Sequence, residues 1–261
     1  GRNHNALPEF FNTNGNIEDD ASWTTLGEVD KGINWYDAQG ISSKPGNQAV
    51  NDLGWTGNES TTSGKYKEWQ RAYYRLDDLK GFDNVVFRIA FASRTGRTDG
   101  FAFDDFFIGE RSRVVLLENF TNSSSDVSVN NNTYKGLGNT SDLVKVQYHT
   151  PFPGDDPINK LNTPMHNART AFYGITTSPT MRLDGLDKGS NTLAKLYDNR
   201  LLTPSSVEIT ITTTKIDGVV NIITSIKNKS SQDLPLAGAH IFTTIVQKSI
   251  TSAALLGASG N

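Results

Sequence analysis

The chain has 261 residues and a net charge of −3 at pH 7, so no basic excess points to nucleic acid. It contains no cysteine, which excludes disulfides, thiolate nucleophiles and thiolate-bound zinc within the chain. No apolar run reaches the roughly 18 residues of a membrane-spanning helix, so the sequence predicts none.

The first 110 residues read as an all-β segment. Residues 73–76, 85–91 and 101–103 are apolar or alternate with period two, and the intervening segments are rich in turn residues. Strands at this spacing with long loops predict a β-sandwich or jelly roll over residues 1–110.

The pattern then changes to alternating strands and helices over residues 111–203. Because parallel strands need crossover helices, this alternation predicts an α/β unit. The predicted strands are residues 114–117, 143–148 and 180–183, and the predicted helices are residues 163–173 and 192–202.

From residue 204 the period returns to two. Residues 207–212 alternate, Asp217-Gly218 predicts a hairpin turn, and residues 219–226 form the return strand. Residues 239–247 predict a third strand. Because three strands hardly make a stable sandwich, we interpret residues 204–261 as the start of an immunoglobulin-like domain, either cut short or completed by packing on its neighbour.

The middle segment resembles the thioredoxin-like domain of a Bacteroidetes-type family of exported, outer-membrane-associated lipoproteins. Four ordered pieces over about residues 113–202 carry the resemblance: residues 117–122; residues 147–149 with 153–157; residues 169–175; and residues 178–180 with 183–185. The resemblance implies a cis bond between Ser178 and Pro179, beside the position of a redox Cys-x-x-Cys.

That position holds Ser125-Asp126-Val127-Ser128 in this chain. Thiol–disulfide exchange requires a thiolate that attacks sulfur, and a serine hydroxyl cannot form the mixed disulfide. We therefore expect a degenerate redox site at Ser125, Ser128 and Pro179, with no oxidoreductase activity. The sequence leaves open whether the two serines are native or replace cysteines.

The first segment resembles the MAM-like jelly-roll domains of secreted Bacteroidetes proteins, over about residues 15–110. Residues 21–27, 34–36, 54–57, 69, 87–93 and 99–108 carry this resemblance. In such domains the last of these stretches is the final strand, and related domains hold a structural Ca²⁺ near its Asp pair.

Calcium is the cofactor that this resemblance suggests. Neighbours in a strand face opposite sides, so we expect either Asp104 or Asp105 to point inward, where a carboxylate needs hydrogen bonds or a metal. Glu18 and the acids after it supply further oxygens for Ca²⁺. The alternative is a carboxylate that caps backbone amides or pairs with arginine.

Trp55 and Trp69 are candidates for a sugar-stacking platform, although tryptophans of a jelly roll more often anchor its core. His149 follows a strand and has no histidine or cysteine at metal-ligand spacing, so a structural role is favoured over a hydrolase built with Ser125 or Ser128.

Together these patterns predict a multidomain, β-rich protein: jelly roll, degenerate thioredoxin-like domain and partial immunoglobulin-like sandwich. The function expected is non-enzymatic interaction or adhesion by a secreted or outer-membrane-associated surface protein, similar to type IX secretion cargo. Its partner is expected to be a protein or a glycan. The alternatives are an oxidoreductase whose cysteines were mutated and a carbohydrate-binding accessory module.

Overall fold

A computed structural model describes residues 4–12, 17–41, 45–46, 53–56, 69–93, 101–123, 134–235 and 237–248. Over these residues the protein is β-rich, and the chain divides into two compact units, Gly1–Glu110 and Arg111–Asn261. No helix in this described part is long and apolar enough to cross a membrane.

The first unit contains a three-stranded antiparallel sheet. Strand β1 (His4–Asn12) lies at its centre, between β2 (Thr24–Thr25) and β3 (Val85–Ser93). Strand β3 confirms the prediction for residues 85–91. Glu9 of β1 is fully buried, and Arg88 of β3 donates to it from Nε at 2.6 Å, so an ion pair with a buried carboxylate joins the two long strands of this sheet.

Two strands predicted in the first unit do not form. Residues 73–76 contribute only an isolated bridge between Tyr73 and Ile33. Residues 101–110 have no regular secondary structure, so the prediction of a final strand there is wrong. The backbone of Asp105 has φ of 52°, in the left-handed region, which interrupts an extended strand at the middle of this segment.

The second unit is built on a mixed sheet in the order β5-β4-β6. Strand β4 (Val115–Thr121) is parallel to β5 (Leu143–His149) and antiparallel to β6 (Thr180–Leu183). Helix α1 (Thr163–Phe172) connects β5 to β6, and α2 (Leu193–Leu202) follows β6. The structure confirms these strands and helices, although β4 continues to Thr121, four residues past the predicted end of that strand.

Strand β4 is covered on both faces. On one face Val115 and Leu117 pack in a cluster with Leu183 of β6 and with α2. On the other face Phe120 packs with Tyr148 and Ile175. Because alternate residues of a strand face opposite sides, the seven residues of β4 supply both cores at once.

A separate antiparallel hairpin follows. Strands β7 (Val207–Ile216) and β8 (Val219–Asn228) confirm the prediction, and positive φ at Asp217 (50°) and Gly218 (80°) gives the tight turn between them. Residues 239–247 are not a strand: they have no regular secondary structure, and Phe242 instead contacts Phe172 of α1.

Candidate functional site at the ends of β4 and β5

The carboxyl ends of the parallel strands β4 and β5 meet at one edge of the sheet. Open α/β sheets bind ligands beyond this edge, which makes it the candidate site. Thr121 and Asn122 leave β4 here, and His149 and Thr150 leave β5. Ser125 and Ser128, the predicted degenerate redox pair, lie outside the described residues, so their position relative to Pro179 stays a prediction.

Asp156 connects the two strand ends. Its side chain is buried, and its Oδ2 accepts from the Ser123 backbone N–H and from His149 Nδ1, both at 2.8 Å. Its Oδ1 accepts from the backbone N–H of Ile158 at 2.7 Å and of Asn159 at 3.2 Å. Burial alone raises the pKa of Asp156, but the hydrogen bonds from His149 and Ser123 outweigh it, so the pKa lies below its ordinary value.

The carboxylate also fixes the tautomer of His149. An ionised carboxylate only accepts hydrogen bonds, so His149 Nδ1 is the donor in this bond and carries a proton. Sequence analysis gave His149 a structural role but did not pair it with Asp156. Its seven-residue separation from Asp156 is the signal that was missed.

His166 of α1 contacts the end of β5 at the same edge. Its Nδ1 accepts from the backbone N–H of His149 at 3.3 Å, so this nitrogen is unprotonated. The His166 ring also lies edge-on to Tyr148 at 6.3 Å. Burial lowers the pKa of His166 and the neighbouring His149 lowers it further, against the opposing effect of Asp156.

The loop after β5 is held by Asn122 and Thr150. Asn122 Nδ2 donates to the carbonyls of Thr150 and Gly154, each at 2.8 Å, and Thr150 Oγ1 donates to the Phe152 carbonyl at 2.6 Å. The following Phe152–Pro153 bond is cis. These hydrogen bonds join side chains to backbone carbonyls, so they fix the path of the loop that follows β5.

Pro179 is preceded by a cis peptide bond, which confirms that prediction. The next residue, Thr180, pairs with Phe120 of β4, and Ser178 Oγ donates to the Phe120 carbonyl at 3.4 Å. Pro179 therefore lies beside the carboxyl end of β4, at the same edge as Asp156.

A second polar cluster lies on the α1 face of β4. Glu118 is fully buried and accepts from Arg169 Nε at 2.7 Å, from Arg169 Nη2 at 3.0 Å and from the Tyr173 hydroxyl at 2.6 Å. Burial and the hydrogen bond to Glu118 raise the pKa of Tyr173 to about 12. Sequence analysis did not single out this cluster, although an acid inside an apolar strand is a signal for a buried ion pair.

The candidate calcium residues of the first unit do not converge. Asp104 and Asp105 are both exposed, so the expectation that one points inward is wrong, and Asp104 Oδ1 accepts from the Asp105 backbone N–H at 2.8 Å. Glu18 is exposed as well. Within the described ranges no three His, Asp or Glu side chains form a metal-binding group, and calcium stays a prediction.

The two candidate tryptophans, Trp55 and Trp69, differ in how far their rings are exposed. Trp55 Nε1 donates to the Asn34 carbonyl at 2.9 Å and its ring lies edge-on to Trp35 at 5.2 Å, so Trp55 anchors a small aromatic core. Trp69 is 73% exposed. The structure thus leaves Trp69 as the more accessible stacking surface of the pair.

Comparison of the chain with protein-family models, with curated proteins and with solved structures finds no match. The resemblances to MAM-like and thioredoxin-like domains therefore stay predictions.

Replacing Asp156 tests whether its hydrogen bonds stabilise the ends of β4 and β5. We expect Asp156→Asn to lower the free energy of unfolding by about 1.5–3 kcal/mol, because donors at Ser123 and His149 lose a charged acceptor. Urea denaturation measures the change. Asp155→Asn is the matched control, since Asp155 is exposed, and equal effects of the two substitutions would contradict the assignment.

The pKa of His166 predicts a pH dependence of stability. Because its folded-state pKa lies below the ordinary value of 6.5, the unfolded chain takes up the proton first. Stability is therefore complete above pH 6.5 and falls with pH until the folded-state pKa is reached. Between pH 7.5 and 5, the melting temperature of His166→Gln should fall less than that of the unaltered chain. His240 is exposed, so the melting temperature of His240→Gln should fall as much as that of the unaltered chain.

Proposed function

We propose that the protein is a non-enzymatic interaction or adhesion protein, secreted or held at the outer-membrane surface, similar to type IX secretion cargo. Its partner is a protein or a glycan at a cell surface. The observation that carries the proposal is the exposed apolar face of the β7–β8 hairpin. The lack of cysteine separates it from a thiol–disulfide oxidoreductase.

The β7–β8 hairpin has one apolar and one mostly polar face. Ile209 pairs with Ile226 and Ile211 pairs with Thr224, which places these side chains together on the apolar face. Ile209 and Ile211 are 58% and 63% exposed. The opposite face carries Thr210 and Thr212. Contiguous exposed apolar surface marks interaction sites in folded proteins, which supports binding by this face.

The sheet of the second unit supports the proposed redox-inactive thioredoxin-like domain. Its order β5-β4-β6, its two helices and its proline before β6 agree with such a domain. The polar groups at its edge, Asp156, Asn122 and Thr150, are engaged in fixed hydrogen bonds. These hydrogen bonds hold the side chains of this edge in defined positions, which favours a binding surface.

Attachment of cells tests the proposal. In a strain that lacks the chain and is complemented with variants, we expect Ile209→Asn with Ile211→Asn to reduce attachment to a coated surface several-fold, because both changes place amides on the apolar face. Thr210→Asn with Thr212→Asn alters the polar face and should attach like wild type. External protease should also digest the chain on intact cells.

The proposal would be overturned by a strain that lacks the chain yet attaches normally, together with a chain that external protease cannot reach. Circular dichroism of each purified variant separates loss of binding from loss of folding, since the hairpin substitutions lie at exposed positions.

Carbohydrate binding is a second candidate function, favoured by the exposed indole of Trp69. Sugar rings stack on exposed aromatic faces, while Trp55 has its ring packed and its N–H bonded. A glycan array should then lose its signal with Trp69→Ala. The absence of any signal from the unaltered chain would remove this function, and Trp55→Ala reports damage to the fold.

A further inference from the structure

Arg169 of α1 is fixed in one orientation by the buried carboxylate beneath it. Its Nε and Nη2 donate to the two oxygens of Glu118, and Nη2 also donates to the Tyr173 hydroxyl at 2.9 Å. The Arg169 side chain is only 15% exposed. Two of the three guanidinium nitrogens are therefore committed to internal partners.

The third nitrogen, Arg169 Nη1, is buried and has no hydrogen-bond partner in the described part of the chain. A buried donor without an acceptor is unfavourable, and hydrogen bonds to charged groups are the stronger ones. An oxygen acceptor placed at Nη1 would therefore gain a charge-assisted bond that the described residues do not make.

Three aromatic rings surround the guanidinium carbon. The ring centroids of Tyr173, Phe172 and Phe242 lie 4.7, 4.9 and 4.9 Å from it, within cation–π distance. Tyr173 and Phe172 belong to the end of α1, whereas Phe242 comes from residues 237–248, which have no regular secondary structure.

Phe242 occupies this position shallowly. It remains 60% exposed, although its ring meets Phe172 edge-on at 5.2 Å. Its neighbours Ile241 and Ile245 are exposed too. Phe242 thus supplies a ring to the cation but no acceptor to Nη1, which makes it an incomplete occupant that a better ligand can displace.

We infer that Arg169, Phe172 and Tyr173 form a binding site for the C-terminal aromatic residue of a partner peptide. The aromatic side chain takes the place of the Phe242 ring, and the terminal carboxylate accepts from Arg169 Nη1. Phe242 is the internal competitor. This site deepens the proposed function by naming a class of partner for it.

Fluorescence anisotropy with labelled peptides tests the site on the full chain. The probes are a hexapeptide ending in Ile-Phe with a free carboxylate, the same peptide as an amide, and one ending in Ile-Ala. We expect the free acid to bind about tenfold more tightly than the amide, because only the carboxylate offers a charged acceptor. The peptide ending in alanine should bind more weakly than the acid ending in phenylalanine.

Variants of the chain separate the competitor from the site. Phe242→Ala should bind the free acid several-fold more tightly than the unaltered chain, since the internal occupant is gone. Phe172→Ala should weaken binding because it removes one ring of the site. Ile245→Ala is the matched control in the same segment and should bind like the unaltered chain.

Equal affinity for acid and amide, or no gain with Phe242→Ala, would overturn the inference. If Phe242→Ala does not fold by circular dichroism, Phe242→Leu replaces it, because it keeps apolar bulk and lacks the ring. Binding is measured in solution, so its failure is distinguishable from a failure of the cell-attachment experiment.

Discussion

Burial of β4 on both faces and both edges is the constraint on which the second unit depends. A strand in this position cannot solvate its polar side chains, yet β4 carries Glu118 and Asn119, which are both fully buried. Glu118 is acceptable only because Arg169 and Tyr173 supply donors on that face. Helix α1 is thereby fixed to the sheet by charge as well as by apolar contact, and removal of one partner would leave a buried charge uncompensated.

Asn119 is the buried polar residue of β4 for which the neighbouring elements supply no hydrogen bond in the described part of the chain. Within the described residues neither its amide nitrogen nor its carbonyl oxygen has a hydrogen-bond partner. Buried polar groups of native proteins are nearly always paired, and unpaired ones concentrate at sites kept for reasons other than stability. Its place, two residues before the strand end at Thr121, lies close to the candidate site.

Local sequence predicted the strands and helices that have a clear hydrophobic pattern or a helix cap of their own. Strands β3 to β8 follow apolar or alternating runs, and both helices have matching N-caps, Asn162 and Thr192, whose side chains accept backbone N–H groups of the first turn. Strand β1 was missed because its polar ends and Pro8 hide the pattern. Residues 101–108 and 239–247 have strand composition but pair with no strand in the described part of the chain, and composition alone does not form a strand.

The site was less predictable than the fold because its contacts are long-range. Glu118 and Arg169 lie 51 residues apart, and nothing local indicates that α1 brings them together. Pro179 was found through resemblance, and its cis bond is present. The prediction for Asp104 and Asp105 is wrong because adjacent residues face opposite sides only where the backbone is extended, and the backbone of Asp105 is not extended.

One atom, Oδ2 of Asp156, accepts from the backbone N–H of Ser123, two residues after β4, and from the imidazole of His149 at the end of β5. The two parallel strands therefore end on a common acceptor, although they are far apart in sequence. A single substitution of this carboxylate removes a support from both strand ends at once, so the two ends cannot be altered separately at this position.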